Sequence, residues 1–169
     1  NTFASSISYS KTFPEYPSVN TSITLSHTQN SRTQTINMSL PTFQASMERI
    51  FPFAKRDEPK KGVFQNINFQ YDVNAQNSIT TTEEEFFKSG MFDDARVGAR
   101  HRIPIATNFK LAKYLSVSLS GNYEDVWALE TIRREFDEES GLVVTDTIPG
   151  FDRFNRYSLG TSIGTTLYG

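Results

Sequence analysis

The sequence predicts an all-β fold, an antiparallel meander of seven long strands that forms a segment of a transmembrane outer-membrane β-barrel. The main observation is an apolar/polar alternation with a period of two along most of the chain, which is typical of strands with two different faces. The second is composition: of 169 residues only 37% are hydrophobic, yet 14 are Phe and 7 are Tyr. The third is that the predicted connections differ in length between the two ends of the strands.

Composition excludes several classes of protein. No apolar run approaches the roughly 18 residues that a spanning helix needs. A pI of 5.7 and a net charge of −2 argue against a nucleic-acid-binding protein. Without cysteine there is no disulfide, thiolate metal site or cysteine nucleophile. The chain opens at Asn1 without a signal-peptide pattern, which indicates a mature or truncated segment.

The alternation defines the strands in order. In the first strand Phe3, Ile7 and Tyr9 occupy odd positions between serines and threonines. The cleanest alternation follows Val63, and the longest runs toward Ile132. The seven predicted strands cover about 2–13, 19–26, 35–53, 63–76, 103–109, 114–132 and 157–167.

Pro41 interrupts the third strand and changes the parity of its apolar positions. Ile36 and Met38 are even, whereas Phe43 and Ala45 are odd. Proline inside a strand indicates a bulge or a turn, and a turn would make eight strands. We favour the bulge because the loop lengths then alternate regularly.

The predicted connections form two sets. Those at 14–18, 54–62 and 110–113 are short, as periplasmic turns are, whereas long acidic loops are predicted at about 78–100 and 133–152. Strand parity places both long loops on one side, where we expect them to cover the lumen as a lid. Their acidic residues indicate a solvated surface rather than a cation site.

The two faces of the strands predict two environments. We expect the polar face to be lumen-facing and the apolar face to be lipid-facing. The predicted lumen-facing residues are Asn66, Asn68, Gln70, Asp72, Asn74, Ser116, Ser118, Ser120 and Asn122. The predicted lipid-facing residues are Ile67, Phe69, Tyr71, Val73, Leu115, Val117 and Leu119.

No catalytic, cofactor or metal site is predicted. Residues 160–164 match the G-x-S-x-G motif, but the alternation continues through Ser162, and a nucleophile elbow requires a strand-to-helix turn. His27 and His101 are expected near strand ends, at the membrane interface or toward the loops. Glu124 and Asp125 should point to opposite faces and thus form no carboxylate pair. Thr147 lies in a short pattern resembling an O-glycosylation signal, in a predicted external loop.

Short segments throughout the chain resemble the barrel region of the lipopolysaccharide-assembly family LptD, Bacteroidota type. They are 10–14 (SKTFP), 36–41 (INMSLP), 49–53 (RIFPF), 92–94 (FDD), 101–105 (HRIPI) and 166–169 (TLYG). The resemblance implies a translocon in the Gram-negative cell outer membrane that inserts lipopolysaccharide into the outer leaflet. It also implies contact with outer-membrane lipid, an LptE-like plug lipoprotein and a periplasmic bridge. The family's larger barrel and jelly-roll domain would make this chain a fragment.

Two other functions remain open from the sequence. An eight-stranded, self-contained outer-membrane barrel, porin-like or adhesive, would fit the length if Pro41 were a turn. A soluble secreted carbohydrate-binding β-sandwich would also alternate with a period of two. Solubility without detergent would distinguish the sandwich from either barrel.

Overall fold

The computed structural model of the protein describes residues 1–92, 95–111, 114–137 and 142–165. It is one antiparallel sheet in which each strand pairs with the next along the chain, in the order β1 to β7. The strands are β1 Thr2–Phe13, β2 Val19–Asn30, β3 Thr35–Ile50, β4 Asn68–Thr82, β5 Arg96–Leu111, β6 Leu115–Asp137 and β7 Leu142–Thr165. The predicted all-β meander of seven strands is confirmed. Among the described helices, none is long and apolar enough to cross a membrane.

The β1–β2 hairpin follows the alternation of the sequence. β1 begins and ends at the predicted residues, and Ile7 opposes Leu25 while Tyr9 opposes Ile23. Directly opposed residues of antiparallel strands share a face, so the apolar side chains of the two strands come together. The alternation therefore placed β1 and the start of β2, but β2 continues to Asn30, beyond the predicted end at residue 26, because its polar residues stay paired with β1.

Pro41 lies in a bulge inside the single strand β3, as favoured from the sequence. The register with β4 shifts between Ser39 and Thr42, and the Leu40–Pro41 peptide bond is cis. Proline has no N–H to donate to the ladder, which explains the local loss of pairing. The extra residue brings Met38 and Phe43 to the same face despite their different parity.

The start of the fourth strand was predicted wrongly. A short helix, α1 Gly62–Gln65, stands where strand was expected, and β4 begins only at Asn68. The connection after β3 therefore covers residues 51–67 instead of the predicted 54–62, so the expectation that this connection is short was wrong. The Asn66 side chain donates to the Gly62 carbonyl at 2.6 Å, and the Ile67 amide donates to the Phe64 carbonyl at 3.0 Å. These local hydrogen bonds compete with strand pairing, so Asn66 and Ile67 precede the ladder.

The first long connection is shorter than predicted. β4 continues to Thr82 and β5 starts at Arg96, which leaves residues 83–95 instead of 78–100. Thr80 and Thr82 remain paired with β3, opposite Asn37 and Thr35. Threonine fits a ladder well, so a polar composition did not mark a loop here.

The second predicted long loop is largely strand. β6 and β7 stay paired through most of 133–152, from Ala128 opposite Asp152 to Asp137 opposite Leu142. Residues 112–113 and 138–141 lie outside the described part of the chain. Thr147 consequently lies in a strand and not in a loop. Beyond Ala128, β6 pairs with β7 and no longer with β5, so this part of the two strands forms a two-stranded ribbon.

The C-terminal strand confirms the interpretation of the G-x-S-x-G match. Ser162 lies within β7 and opposes Ser118 of β6, with no strand-to-helix turn at this point. The described strands form one layer, whereas a sandwich needs two packed sheets. The sheet is not closed, and β1 and β7 each pair on one side only among the described residues.

Candidate functional site

Polar side chains form a continuous row across all seven strands. Each of its residues directly opposes the next, and opposed residues share a face. We call this set the central polar row: Thr12, Asn20, Ser46, Asp72, Arg102, Glu124 and Arg156. One face of the sheet is therefore polar from edge to edge at this level.

Hydrogen bonds connect much of the row. On the N-terminal side, the Thr12 hydroxyl donates to Asn20 Oδ1 at 2.8 Å. In the middle, Ser46 Oγ donates to Asp72 Oδ1 at 2.7 Å. On the C-terminal side, Arg156 Nη2 donates to Glu124 Oε1 at 3.0 Å. The row is thus a side-chain network whose members hold one another in position.

Positive charge slightly exceeds negative charge around the row. Arg100 Nε lies 3.7 Å from Glu124 Oε1, so this carboxylate serves two arginines, Arg100 and Arg156. Arg102 Nε donates instead to the neutral Asn122 Oδ1 at 3.0 Å. The surface therefore carries three guanidinium groups, those of Arg100, Arg102 and Arg156, and two carboxylates, those of Asp72 and Glu124. Arg100 and Arg156 are largely exposed. This surface can offer both donors and acceptors to a polar ligand.

The polar face is concave. A depression of about 620 Å³ is lined by residues of all five strands from β1 to β5, among them Ser10, Gln44 and Arg102. A second, of about 500 Å³, continues across β4 to β6 and includes Asn74, Arg100 and Glu130. A depression that extends across five neighbouring strands indicates that the sheet curves around this face.

The opposite face is apolar and exposed. Its side chains have large uncovered hydrophobic surfaces on both halves of the sheet. The exposed members include Ile7, Tyr9, Phe13, Ile23, Leu25, Ile105, Leu119, Tyr157, Leu159 and Ile163. An exposed apolar surface of this extent is exceptional for a soluble monomer and indicates contact with lipid or with another protein.

An ion pair lies within this apolar face. Asp125 opposes His101 of β5 and is only 4% exposed. Arg153 Nη2 donates to Asp125 Oδ2 at 2.7 Å and to the Tyr123 hydroxyl at 3.1 Å, and its Nε donates to both oxygens of Asp125. A charge away from water needs such partners.

His101, which was expected near a strand end, lies inside β5 between β4 and β6 and joins this cluster to β4. Its Nδ1 lies 2.6 Å from the Tyr71 hydroxyl, and its ring centroid is 4.3 Å from that of Trp127. His27, the other histidine, lies near Phe86, with ring centroids 6.2 Å apart. Neither histidine belongs to a metal cluster, since no group of three potential ligands occurs among the residues that the structure describes.

The connection between β4 and β5 packs on the apolar face, contrary to the predicted lid over the lumen. Met91 covers Ile36, Met38 and Ile79, which together form the buried hydrophobic cluster of the described chain. Ile79 shares its face with Tyr71 and Val73 because β4 is regular between them. These apolar side chains would otherwise be uncovered, which explains why the connection folds toward them.

Register separates most of the predicted site residues as the alternation implied. Gln70, Asp72 and Asn74 share the face of the central polar row, as do Ser116, Ser118, Ser120 and Asn122, whereas Phe69, Tyr71, Val73, Leu115, Val117 and Leu119 share the other. That these faces meet lumen and lipid stays a prediction.

Asn68 differs from the other predicted lumen-facing residues of β4 because its side chain is buried. Its Nδ2 donates to the Asn66 and Ala106 carbonyls at 2.9 Å.

Of the charged members of the row, sequence reasoning selected only Asp72 as a site residue and missed Arg102, Glu124 and Arg156. Arg100, which lies beside the row, was assigned to a loop. Their even parity, shared with Ser116 and Ser118, was the available signal. Their mutual contacts depend on the register between strands, which parity does not provide.

A comparison with known protein families shows to which family this chain belongs. The family model described as LptD protein matches residues 1–169, the whole chain. The chain belongs to the LptD family. This confirms the predicted family resemblance, while the Bacteroidota type stays a prediction. No curated protein matches the chain significantly.

Membership of the LptD family places the chain among outer-membrane β-barrel proteins with a role in lipopolysaccharide transport and assembly. The seven-stranded, open antiparallel sheet is consistent with a segment of such a barrel. The family acts together with other components of the lipopolysaccharide-transport pathway.

Proposed function

We propose that the chain forms part of the wall of an outer-membrane translocon that inserts lipopolysaccharide into the outer leaflet. In this arrangement the central polar row faces the lumen and the apolar face meets lipid. The observation that supports it most strongly is that a polar row crosses all seven strands on one face while the opposite face exposes large apolar side chains.

The physics of a bilayer favours this orientation. Hydrocarbon cannot hydrogen-bond to backbone groups, so strands cross a membrane only as closed barrels. The unpaired sides of β1 and β7 would expose rows of N–H and C=O groups within the membrane. We infer that both edges pair with further strands, which completes a barrel with the polar face inside.

The lumenal surface suits the sugar part of a glycolipid. Hydroxyl and amide groups of Thr12, Asn20 and Ser46 can exchange hydrogen bonds with sugar hydroxyls, while the arginines near Glu124 can meet anionic substituents. We infer that the substrate enters from a periplasmic bridge and that an LptE-like lipoprotein plugs the barrel.

Two neighbouring residues of β6 allow a matched test of the orientation. Leu119 lies on the apolar face, opposite Thr107 and Thr161, whereas Ser118 lies on the polar face, opposite Asn108 and Ser162. In a titration of refolding into lipid vesicles, we expect Leu119→Arg to lower the free energy of unfolding by roughly 2–4 kcal/mol. Ser118→Arg should change it much less.

The control residue is adjacent in sequence and receives the same side chain, so local strand propensity and charge are matched. Equal losses at the two positions would contradict the proposed orientation. A larger loss for Ser118→Arg would reverse it.

A further inference from the structure

We propose that the segment between β4 and β5 is a membrane-interface anchor, in which Phe87 and Phe92 insert into the headgroup region of the bilayer beside the barrel wall. We call residues 83–92 the anchor loop. This inference rests on the proposed function, because it requires the apolar face to meet lipid. It concerns a different surface from the central polar row.

The anchor loop is held against the apolar face by contacts from both of its ends. Glu83 Oε1 accepts a hydrogen bond of 2.8 Å from Gln29 Nε2 of β2. Met91 is buried in the cluster with Ile79, which is 2% exposed, and Phe86 packs against the same cluster. The loop thus packs on the apolar face of the sheet, against β2, β3 and β4.

The polarity of the apolar face changes where the anchor loop lies. Nearer the middle of the strands, Ile23, Phe43 and Ala75 oppose one another and form an apolar row. Next to it, His27, Gln29, Asn77 and Thr81 introduce polar groups on the same face. Ile36, Met38 and Ile79 alternate with these polar groups on the same face, so the face is mixed at this level, as is expected at a membrane interface.

Two phenylalanines of the loop lie outside the buried cluster and are exposed. Phe87 is 81% exposed and Phe92 is 63% exposed, whereas Met91 is buried and Phe86, whose ring centroid lies 4.2 Å from that of Phe87, is partly buried. Exposed rings beside an apolar face and near charged residues are typical of surfaces that enter a membrane interface. The loop therefore adds exposed apolar surface next to the apolar face of the strands.

The backbone supports the outward position of Phe87. Its φ of 62° lies in the left-handed region, which bulky side chains rarely occupy. The Lys88 amide donates to the Glu85 carbonyl at 2.9 Å, and the Met91 amide donates to the Lys88 carbonyl at 3.1 Å. These turns hold a conformation that costs free energy in isolation, which is a feature of binding surfaces.

The charges of the loop fit the same arrangement. Glu84, Glu85 and Lys88 are exposed and lie beside the phenylalanines. At a membrane interface, charged groups remain in the headgroup and water layer while aromatic rings enter the acyl boundary. The loop has three glutamates, Glu83 to Glu85, against one lysine, Lys88, so its net charge is −2 and its insertion depends on the rings rather than on attraction to anionic headgroups. The partner with this chemistry is the membrane interface itself.

Tryptophan reporters can test the proposal in the protein as cells produce it, reconstituted into phosphatidylcholine/phosphatidylglycerol vesicles. The vesicles carry bromine either near the headgroup or near the chain ends, and bromine quenches the fluorescence that each reporter adds to the parent protein. We expect Phe87→Trp to lose most of its added fluorescence with bromine near the headgroup. Lys88→Trp, the matched control in the same loop, should be quenched mainly by aqueous iodide.

A third reporter separates this proposal from the proposed function. Leu119→Trp lies on the apolar face, away from the loop, and should be quenched by brominated chains. If it is quenched and Phe87→Trp responds only to iodide, the anchor proposal is wrong and the orientation of the wall stands. If Leu119→Trp itself responds only to iodide, the proposed orientation is wrong. Equal lipid quenching at Phe87 and Lys88 would overturn the specific insertion of the rings.

Discussion

The first and last hairpins of the sheet follow the same alternation but are held together differently. In β1–β2 the cross-strand side-chain contacts are between uncharged groups, such as Ser8 with Thr24 at 3.0 Å. In β6–β7 two neighbouring carboxylates each bind an arginine, Glu124 with Arg156 on the polar face and Asp125 with Arg153 on the apolar face. Ion pairs thus join the last hairpin on both faces.

This difference shows that alternation alone does not determine the chemistry of a barrel wall. A strand directs adjacent residues to opposite faces, so Glu124 and Asp125 serve two environments. On the concave side the charges of β5–β7 remain accessible to a ligand. On the apolar side Asp125 is buried, whereas Arg153 is about half exposed and also donates to the Tyr123 hydroxyl. We therefore expect the two hairpins to respond differently to substitution.

Arg153→Met should lower the free energy of unfolding more than any other substitution in the two hairpins. It removes four hydrogen bonds, three to Asp125 and one to Tyr123, and leaves a carboxylate that is 4% exposed without its cation. An unpaired charge away from water is strongly destabilising. Urea titration of the lipid-embedded protein should show the loss.

The double variant Arg153→Met with Asp125→Asn is the control. Neutralising the carboxylate should restore much of the stability, because the penalty comes from the isolated charge and not from the lost side chain. If the double variant is no more stable than Arg153→Met, then Asp125 does not need its charge balanced, and the ion pair contributes little to the difference between the hairpins.

Glu124→Gln should have a smaller effect that depends on salt. Arg100 and Arg156 would lose their shared carboxylate, but both side chains are exposed and can be solvated. Exposed ion pairs contribute little and are screened by salt. We expect the unfolding free energy of the parent protein to fall as salt rises, and that of the variant to fall less. The same salt dependence in both proteins would mean that this pair does not stabilise β6–β7.

Thr12→Val should have the smallest effect. It removes the hydroxyl that donates to Asn20 Oδ1 while the side-chain shape stays similar. A net contribution of about 1 kcal/mol or less is typical of such a hydrogen bond. The same lipid-refolding titration measures it. A loss as large as that of Arg153→Met would show that the first hairpin also depends on a specific side-chain network.

The sequence predicted the parts of the fold that depend on near neighbours. The period-two alternation placed β1 and the seven-strand meander, and the change of parity at Pro41 predicted the bulge. It also placed Ser162 in a strand. It was wrong where local hydrogen bonds compete, as at Asn66, and where charged residues extend a ribbon, as in the predicted loop 133–152.

Only the tertiary structure decided which residues meet. Parity assigns a residue to a face, but the register between strands determines that Asp72, Arg102, Glu124 and Arg156 are successive neighbours in one row. Likewise, the apolar cluster around Ile79 drew the segment after β4 to the convex face, although the sequence predicted a lid over the lumen. The physical reason is range: the alternation of a strand is a property of consecutive residues, whereas register and loop packing depend on contacts between residues far apart in the chain.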